Sequence, residues 1–213
     1  MAPESRESAL KGMSELPLVL ASASPRRRVL LEQAGLEFSV LAVEGVEDSP
    51  EDGSDPVAHA RASAEQKALA ASDLRPGALA LGADTVVARE GRVMGKPSTP
   101  AEAREMLAAL GGRVHEVHTG VALAWEGEVV LSEVVTTQVT FRRLSPAEIE
   151  AYVATGEPMD KAGAYGIQGR GALLVQKIDG CYSNVVGLPL SRTWEMLAEA
   201  QHLITNRRGG GQC

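Results

Sequence analysis

Short apolar runs alternate along this chain with polar, helix-forming stretches, and several of these stretches end at a recognisable signal. Residues 16–21 are almost wholly apolar and predict a short buried strand. Ser24 and Pro25 then predict a helix start, because serine is a favoured N-cap and proline is favoured at the first helical position. Gly35 is typical of the position just beyond a helix, so this first helix is expected to end near residue 34.

The rest of the chain mixes strands with helices in the same way. Further strands are predicted at residues 38–43, 78–88, 93–94, 115–125, 128–142 and 173–178. Helices are predicted over residues 55–71 and 190–204, and after the capping-box sequences that begin at Thr99 and Ser145. Because both hairpins and helical crossovers occur, the pattern predicts an α/β or α+β chain with a mixed sheet, and it leaves the strand order open.

Both ends of the chain lack this patterning. Residues 1–15 carry mixed charge and predict a disordered leader, while the Gly-rich residues 206–213 predict a flexible tail. A single domain is expected between them, over residues 16–205. Two cysteines form neither a disulfide framework nor a metal-ligand pattern, and no run reaches the roughly 20 apolar residues of a membrane span. These features predict a soluble protein of the cytoplasm with no membrane partner.

The overall charge narrows the class of partner. The formal net charge is -7, which argues against a general nucleic-acid binder, since such a protein needs a basic surface to displace counterions. A small anionic ligand is still compatible with this charge, because it needs only a local cluster of cations.

The first chemistry-bearing segment is residues 21–28, Ala-Ser-Ala-Ser-Pro-Arg-Arg-Arg. It places three arginines in the first turn of the predicted helix, where the helix dipole favours acidic side chains. A bound polyanion would offset this unfavourable arrangement, since guanidinium groups and free helical N–H groups both bind phosphate oxygens. A solvated basic helix end is the alternative that the residues leave open.

Asp84 is the second signal, because it lies inside an otherwise apolar predicted strand. An ionised carboxylate in such a place is costly unless it is paired or binds a metal. A structural role, such as capping a turn or pairing with an arginine, stays as an equal alternative. Lys96 follows in a Gly-Lys-Pro sequence, which is not a phosphate-binding P-loop but can still direct the lysine towards the same site.

Residues 157–171 form the third signal, with four glycines within nine positions. Such a density of glycine predicts a loop with unusual dihedral angles or one that approaches a ligand closely. Gln168 lies among these glycines and offers both a donor and an acceptor. A plain surface loop is the alternative, although the alanine, tyrosine and isoleucine of the segment make it rather apolar for one.

Taken together, these segments resemble the Maf family of nucleotide pyrophosphatases. The matching segments occur in order, at residues 22–27, 82–87, 95–97, 160–169 and 185–190. The resemblance covers roughly residues 16–204. It implies a long mixed β-sheet with surrounding helices and two lobes flanking a cleft, as in the inosine triphosphate pyrophosphatases. It also implies a divalent metal cation, Mg²⁺ or Mn²⁺, and frequent homodimers.

The resemblance also implies a role for each matching residue. Asp84 corresponds to the catalytic proton acceptor, acting either directly or through its metal, and Glu47 is the expected second metal-site carboxylate. The positions tied to substrate choice are Arg26, Thr85 and Gln168. The expected phosphate-site residues are Ser22, Ser24, Arg27, Lys67 and Lys96.

The expected activity is hydrolysis of a nucleoside triphosphate to the monophosphate and pyrophosphate. The segment at residues 160–169 resembles the subgroup that acts on dTTP and UTP. Two alternatives stay open: the same chemistry on a modified or non-canonical nucleotide, and a nucleotide-binding regulator of cell division with little turnover. A carboxylate at position 84 together with the nearby cations favours an enzyme, since a binding protein has no need of that carboxylate facing phosphates.

Overall fold

A mixed β-sheet with helices on both faces organises the chain in a computed structural model that describes residues 16–43 and 54–209. The strands are β1 Leu18–Leu20, β2 Ser39–Val40, β3 Leu79–Arg89, β4 Arg92–Met94, β5 Val114–Trp125, β6 Glu128–Phe141 and β7 Val175–Asp179. The helices are α1 Pro25–Gln33, α2 Pro56–Leu74, α3 Pro100–Leu110, α4 Pro146–Val153, α5 Tyr182–Val186 and α6 Leu190–Gly209. Three short 3₁₀ helices, Glu157–Asp160, Ala162–Ala164 and Gly169–Leu174, lie between α4 and β7.

The seven strands combine a parallel and an antiparallel part. Their order is β2-β1-β3-β5-β6-β7, with β4 paired to β3. β1 runs parallel to both β2 and β3, whereas β3, β5, β6 and β7 are successively antiparallel. The predicted α/β class with a mixed sheet is therefore confirmed.

Helices α1 to α4 each begin with proline after a residue of the N-cap type, which the sequence predicts for α1, α3 and α4. The side chains of Asp55, Thr99 and Ser145 accept a hydrogen bond from the helix that they precede. Only Ser145 completes a reciprocal capping box, in which Glu148 accepts from the Ser145 backbone N–H. Ser24 differs, because its hydroxyl makes no capping bond within the described residues.

Two glycines allow α2 to lie directly on the sheet. A Cβ atom at Gly82 would fall 2.2 Å from the carbonyl oxygen of Ala64, and one at Gly120 would fall 2.1 Å from that of Ala60. The opposite face of β3 and β5 contributes larger side chains, such as Leu81 and Leu123, to the core that α1 and α6 cover. The close approach of α2 determines which of its side chains reach β3.

Several boundaries differ from those predicted. β2 is only two residues long, and β7 begins at Val175 because the residues before it form a 3₁₀ helix. The short helix α5 was not predicted. α6 continues to Gly209, so residues 206–209 of the predicted flexible tail are helical. The predicted leader at residues 1–15 and the last four residues of the tail lie outside the described part of the chain. No helix among the described residues is both long and apolar enough to cross a membrane.

Candidate active site

Asp84 forms an ion pair with Lys67 on the α2 side of the sheet. The Lys67 Nζ lies 2.7 Å from the Asp84 Oδ1, and the two side chains are 8% and 19% exposed, respectively. Asp84 projects from the same face as Gly82, two residues earlier, so the close packing of α2 against that glycine brings Lys67 within reach. The sequence left open whether Asp84 pairs with an arginine, and the partner is a lysine.

Thr85 projects from the other face of β3, where it meets Arg27. The Arg27 guanidinium donates to the Thr85 hydroxyl at 3.2 Å, to the Ser22 hydroxyl at 3.0 Å and to the Gly187 carbonyl at 2.8 Å. These bonds join the start of α1, the end of β1, the middle of β3 and the segment before α6. Arg27 therefore fixes the geometry of four parts of the chain, which the predicted phosphate role alone does not require.

The Thr85 hydroxyl is also part of a directed hydrogen-bond chain. Thr119 donates its hydroxyl proton to the Asn184 carbonyl at 3.1 Å. The Thr85 and Thr119 hydroxyl oxygens lie 2.9 Å apart, and since Thr119 has already donated its one proton, the bond between them uses the Thr85 proton, for which the Gly187 carbonyl at 3.4 Å is a second, longer acceptor. Thr85 thus accepts from Arg27 and donates to Thr119, so its hydroxyl is occupied within the protein.

Ser22 and Ser24 lie where β1 leads into α1. The buried Ser22 hydroxyl oxygen accepts from the Ser24 backbone N–H at 3.2 Å and from Arg27. Both bonds use Ser22 as an acceptor, and among the described residues no acceptor is found for its hydroxyl proton, which could therefore bond to a phosphate oxygen. Because Ser24 makes no capping bond to α1, the first N–H groups of this helix also lack the usual side-chain acceptor. A helix start without a side-chain cap is suited to an anion.

Arg26 reaches away from this cluster to the segment after α4. Its guanidinium lies 3.1 Å from the carboxylate of Asp160, which also pairs with Lys161 at 2.5 Å. Burial raises the pKa of the Asp160 carboxyl, but hydrogen bonds from Lys161 and Arg26 outweigh that effect and lower the pKa overall. Arg28, the third arginine, pairs with Glu32 one turn along the helix. Protein carboxylates or hydroxyls thus contact all three arginines.

Lys96 lies beside the Gly-rich segment, and Gln168 lies within it. Lys96 is exposed, and the Gly95 carbonyl beside it accepts a hydrogen bond from the Gly163 backbone N–H at 3.0 Å, which joins this turn to the Gly-rich segment. Gln168 is exposed at the N-cap position of the Gly169–Leu174 helix, and its side chain makes no capping bond there. Glu47, the expected second metal-site residue, lies outside the described residues.

The predicted site residues therefore fall into three contact groups. Lys67 pairs with Asp84, Arg27 bonds to Thr85 and to Ser22, which also bonds to Ser24, and Arg26 pairs with Asp160, which was not predicted. The first two groups meet through the backbone of β3, because Asp84 and Thr85 are consecutive. Four further residues of the site have no role that the sequence predicts: Asp160, Thr119, Asn184 and Glu157. Of these, only Asp160 and Glu157 could have been singled out from the sequence, because they are acidic residues that border the Gly-rich segment.

A metal site made only of protein ligands is not found among the described residues. No group of three or more His, Cys, Asp and Glu side chains there is arranged to hold a metal ion. Asp84 is the one predicted metal-site carboxylate that the structure describes, and one of its oxygens is bonded to Lys67.

Known proteins resemble the chain over nearly its whole length. The family described as "Maf-like protein" matches residues 17–200. Relatives named dTTP/UTP pyrophosphatase include that of Moorella thermoacetica, 56% identical with coverage of 85% of this chain and 93% of the relative. That of Symbiobacterium thermophilum is 52% identical, with coverage of 85% of this chain and 93% of the relative. That of Myxococcus xanthus is 49% identical, with coverage of 86% of this chain and 92% of the relative.

Solved structures of more distant proteins also match. A HAM1 protein from Coxiella burnetii aligns with a TM-score of 0.42 at 20% identity, covering 61% of this chain and 74% of that one. A nucleoside-triphosphatase, dITP/XTP pyrophosphatase, from Mycobacterium abscessus aligns with a TM-score of 0.36 at 18% identity, covering 61% of this chain and 76% of that one.

Proposed function

The chain belongs to the Maf family, and from that membership we propose that it is a hydrolase that cleaves a nucleoside triphosphate to the monophosphate and pyrophosphate. The observation that carries this proposal is the ion pair between Lys67 and Asp84, which holds a carboxylate of β3 beside a cation. The next residue of β3, Thr85, bonds to Arg27. Relatives that are about half identical to the chain are named for this reaction.

In the proposed reaction, Asp84 accepts a proton from the water that attacks the α-phosphorus. A general base must lie within hydrogen-bond reach of that water, and the Asp84 side chain keeps 19% of its surface exposed. Lys67 orients the carboxylate through their 2.7 Å contact. The Ser22 hydroxyl, the start of α1, Arg26, Arg27 and Lys96 then supply donors to the phosphate oxygens, which favours departure of pyrophosphate.

The divalent cation is part of the same proposal. Mg²⁺ in nucleotide sites is commonly held by one or two carboxylates together with substrate phosphates, so the second oxygen of Asp84 fits such a role. Glu47 is the other ligand that we propose. When bound, the cation would neutralise charge on the triphosphate and favour ionisation of water. Because substrate phosphates supply the other ligands, the chain itself need not provide a complete set.

For the substrate, we propose dTTP and UTP, following the names of the relatives. Uracil and thymine share an edge with an N3–H donor between carbonyl acceptors. The exposed amide of Gln168 offers the complementary acceptor and donor. We further propose that the enzyme acts in the cytoplasm on the nucleotide pool, binds neither nucleic acid nor membrane, and forms a homodimer.

The decisive experiment is a nucleotide panel with the purified full chain and Mg²⁺ or Mn²⁺. Pyrophosphate released from dTTP and UTP in preference to CTP, ITP and 7-methyl-GTP is the expected result. A preference for a modified nucleotide would retain the chemistry but overturn the substrate. Tight binding of dTTP with negligible turnover would instead favour the alternative, a nucleotide-binding regulator.

The bond that is cleaved requires a separate measurement. In ¹⁸O-labelled water, attack at the α-phosphorus places the label in the monophosphate. Label found only in pyrophosphate would contradict the proposed position of attack.

A further inference from the structure

The carboxylate of Glu157, at the start of the Gly-rich segment, binds donors from two separate parts of the chain. It accepts a hydrogen bond from the Tyr152 hydroxyl at 2.9 Å and from the Gly171 backbone N–H at 3.0 Å, both on Oε1. Its other oxygen accepts from the Arg170 backbone N–H at 3.2 Å. The Tyr152 donor lies in α4, and the other two donors lie in the Gly169–Leu174 helix. The Glu157 side chain therefore joins these two helices.

Two of these donors are the first N–H groups of the Gly169–Leu174 helix. Such groups are normally satisfied by the side chain of the N-cap residue, which here is Gln168. Gln168 makes no capping bond, and Glu157 supplies the acceptor from 11 residues earlier in the chain. The consequence is that the Gln168 amide is not used to cap its own helix.

The backbone on both sides of Gln168 is fixed. On the preceding side, the Ile167 side chain is buried in the core cluster that contains α1 and α6. On the following side, Gly169 has a φ of +68° and lies against the Glu157 carboxylate, since a Cβ atom there would fall 3.1 Å from the Glu157 Oε2. Gln168 is thus exposed between two anchored neighbours, and one of the anchors is Glu157.

We propose that Glu157 is a positioning residue for base selection: by capping the Gly169–Leu174 helix in place of Gln168, it directs the Gln168 amide towards the base. Glu157 itself does not contact the substrate. This inference rests on the proposed function, in which Gln168 recognises the uracil or thymine edge.

The test compares the UTP over CTP ratio of kcat/KM in the wild-type enzyme, Gln168→Ala, Glu157→Ala and the double variant. We expect Glu157→Ala to lower the ratio by up to about tenfold, the scale of one lost hydrogen bond between the Gln168 amide and the base. The double variant should be no less selective than Gln168→Ala alone. Glu157→Gln should retain part of the ratio, because one amide oxygen can still accept from Tyr152 and Gly171.

A second readout follows the structure instead of the activity. Amide hydrogen exchange at Arg170 and Gly171 should become faster in Glu157→Ala and, to a smaller extent, in Glu157→Gln. Glu150→Gln is the matched control, since Glu150 pairs with Arg104 on the exposed side of α4. This control should change neither the exchange rates nor the ratio.

Each outcome separates the inference from the function on which it rests. If Gln168→Ala lowers the ratio and a folded Glu157→Ala does not, Glu157 has no part in base selection. If Glu157→Ala does not fold, Glu157→Gln and its exchange rates decide the matter. If the wild-type enzyme shows no preference for UTP while it still releases pyrophosphate, the proposed substrate fails and this inference fails with it.

Discussion

Asp84 and Thr85 are consecutive in β3, and their side chains project from opposite faces of the sheet to different partners. Asp84 meets Lys67 on the α2 side, whereas Thr85 meets Arg27 on the α1 side. The strand backbone therefore connects the proposed proton acceptor to the network that holds the start of α1. A change that shifts β3 would affect both halves of the site, whereas a change of one side chain should affect only its own half.

Replacing Asp84 by asparagine tests the proposed base. Asp84→Asn should retain the fold and reduce kcat for dTTP by about 10²-fold or more, because a positioned general base contributes on that scale. Asp179→Asn is the control, since Asp179 forms an exposed ion pair with Lys177 on β7. Near-normal turnover in folded Asp84→Asn would remove Asp84 from the mechanism.

Replacing Lys67 by methionine tests the coupling within the ion pair. Lys67→Met leaves the largely buried Asp84 carboxylate without its partner, so the free energy of unfolding should fall by about 2 kcal/mol. Adding Asp84→Asn to this variant should recover part of the loss, because the unpaired charge is then gone. Urea unfolding of the four proteins gives the coupling energy, and strictly additive changes would show that the pair is not coupled in stability.

The parts of this structure that sequence predicts well are those decided by nearby residues. The capping box of Ser145 and Glu148 spans four positions, and the β5–β6 hairpin follows from the adjacent Glu126 and Gly127, both of which have positive φ. Residue chemistry singled out Asp84, Gln168 and the arginines at residues 26–28, the resemblance to a family added Lys67 and Glu47, and the structure brings several of these residues into contact.

The parts that the sequence did not reveal depend on packing between distant segments. Arg27 contacts Gly187, which is 160 positions away, because α5, which ends just before Gly187, packs against α1 and β5. Glu157 is an ordinary acidic residue in the sequence, and its role requires the loop to fold back over α4. Local propensity carries no information about such contacts, since they depend on tertiary packing.

Arg26 gives a prediction that separates binding from stability. Arg26→Ala should reduce kcat/KM for dTTP by about tenfold or more, the scale of one lost charged contact to phosphate. The free energy of unfolding should change little, because the Asp160 pair is exposed and a cation at the start of α1 opposes the helix dipole. Equal losses of activity and stability would favour a structural role. Arg28→Ala, which removes another exposed pair on α1, is the control.

His115 predicts a dependence of stability on pH. Burial lowers its pKa from 6.5 to about 4, and its Nε2 lies 2.7 Å from the Tyr165 hydroxyl. The unfolded chain therefore binds the proton first as the pH falls. The contribution of neutral His115 to the free energy of unfolding is fully present above about pH 6.5. It is lost progressively down to about pH 4, and the loss is at most about 3 kcal/mol.

The measurement for His115 is chemical unfolding at several pH values. His115→Gln, which cannot titrate, should reduce the slope between those pH values, and the exposed His202→Gln should not. Part of the slope should persist, because burial also lowers the pKa of His118. An unchanged slope in folded His115→Gln would show that His115 does not contribute.

Gln168 gives the last prediction, which concerns the base. Cytosine carries an acceptor at N3 and an amine beside it, so it reverses part of the uracil pattern, and each unsatisfied group costs about 1–3 kcal/mol. The wild-type enzyme should therefore prefer UTP over CTP by about 5- to 150-fold. Gln168→Glu loses the amide donor that a uracil carbonyl requires and gains an acceptor for the cytosine amine, so the ratio should fall. The alternative is that Gln168 only braces its loop, yet its exposed side chain makes no capping bond there. Gln176→Glu, at an exposed position on β7, controls for the added charge. If the ratio is the same in folded Gln168→Glu as in the wild-type enzyme, another residue must read the base.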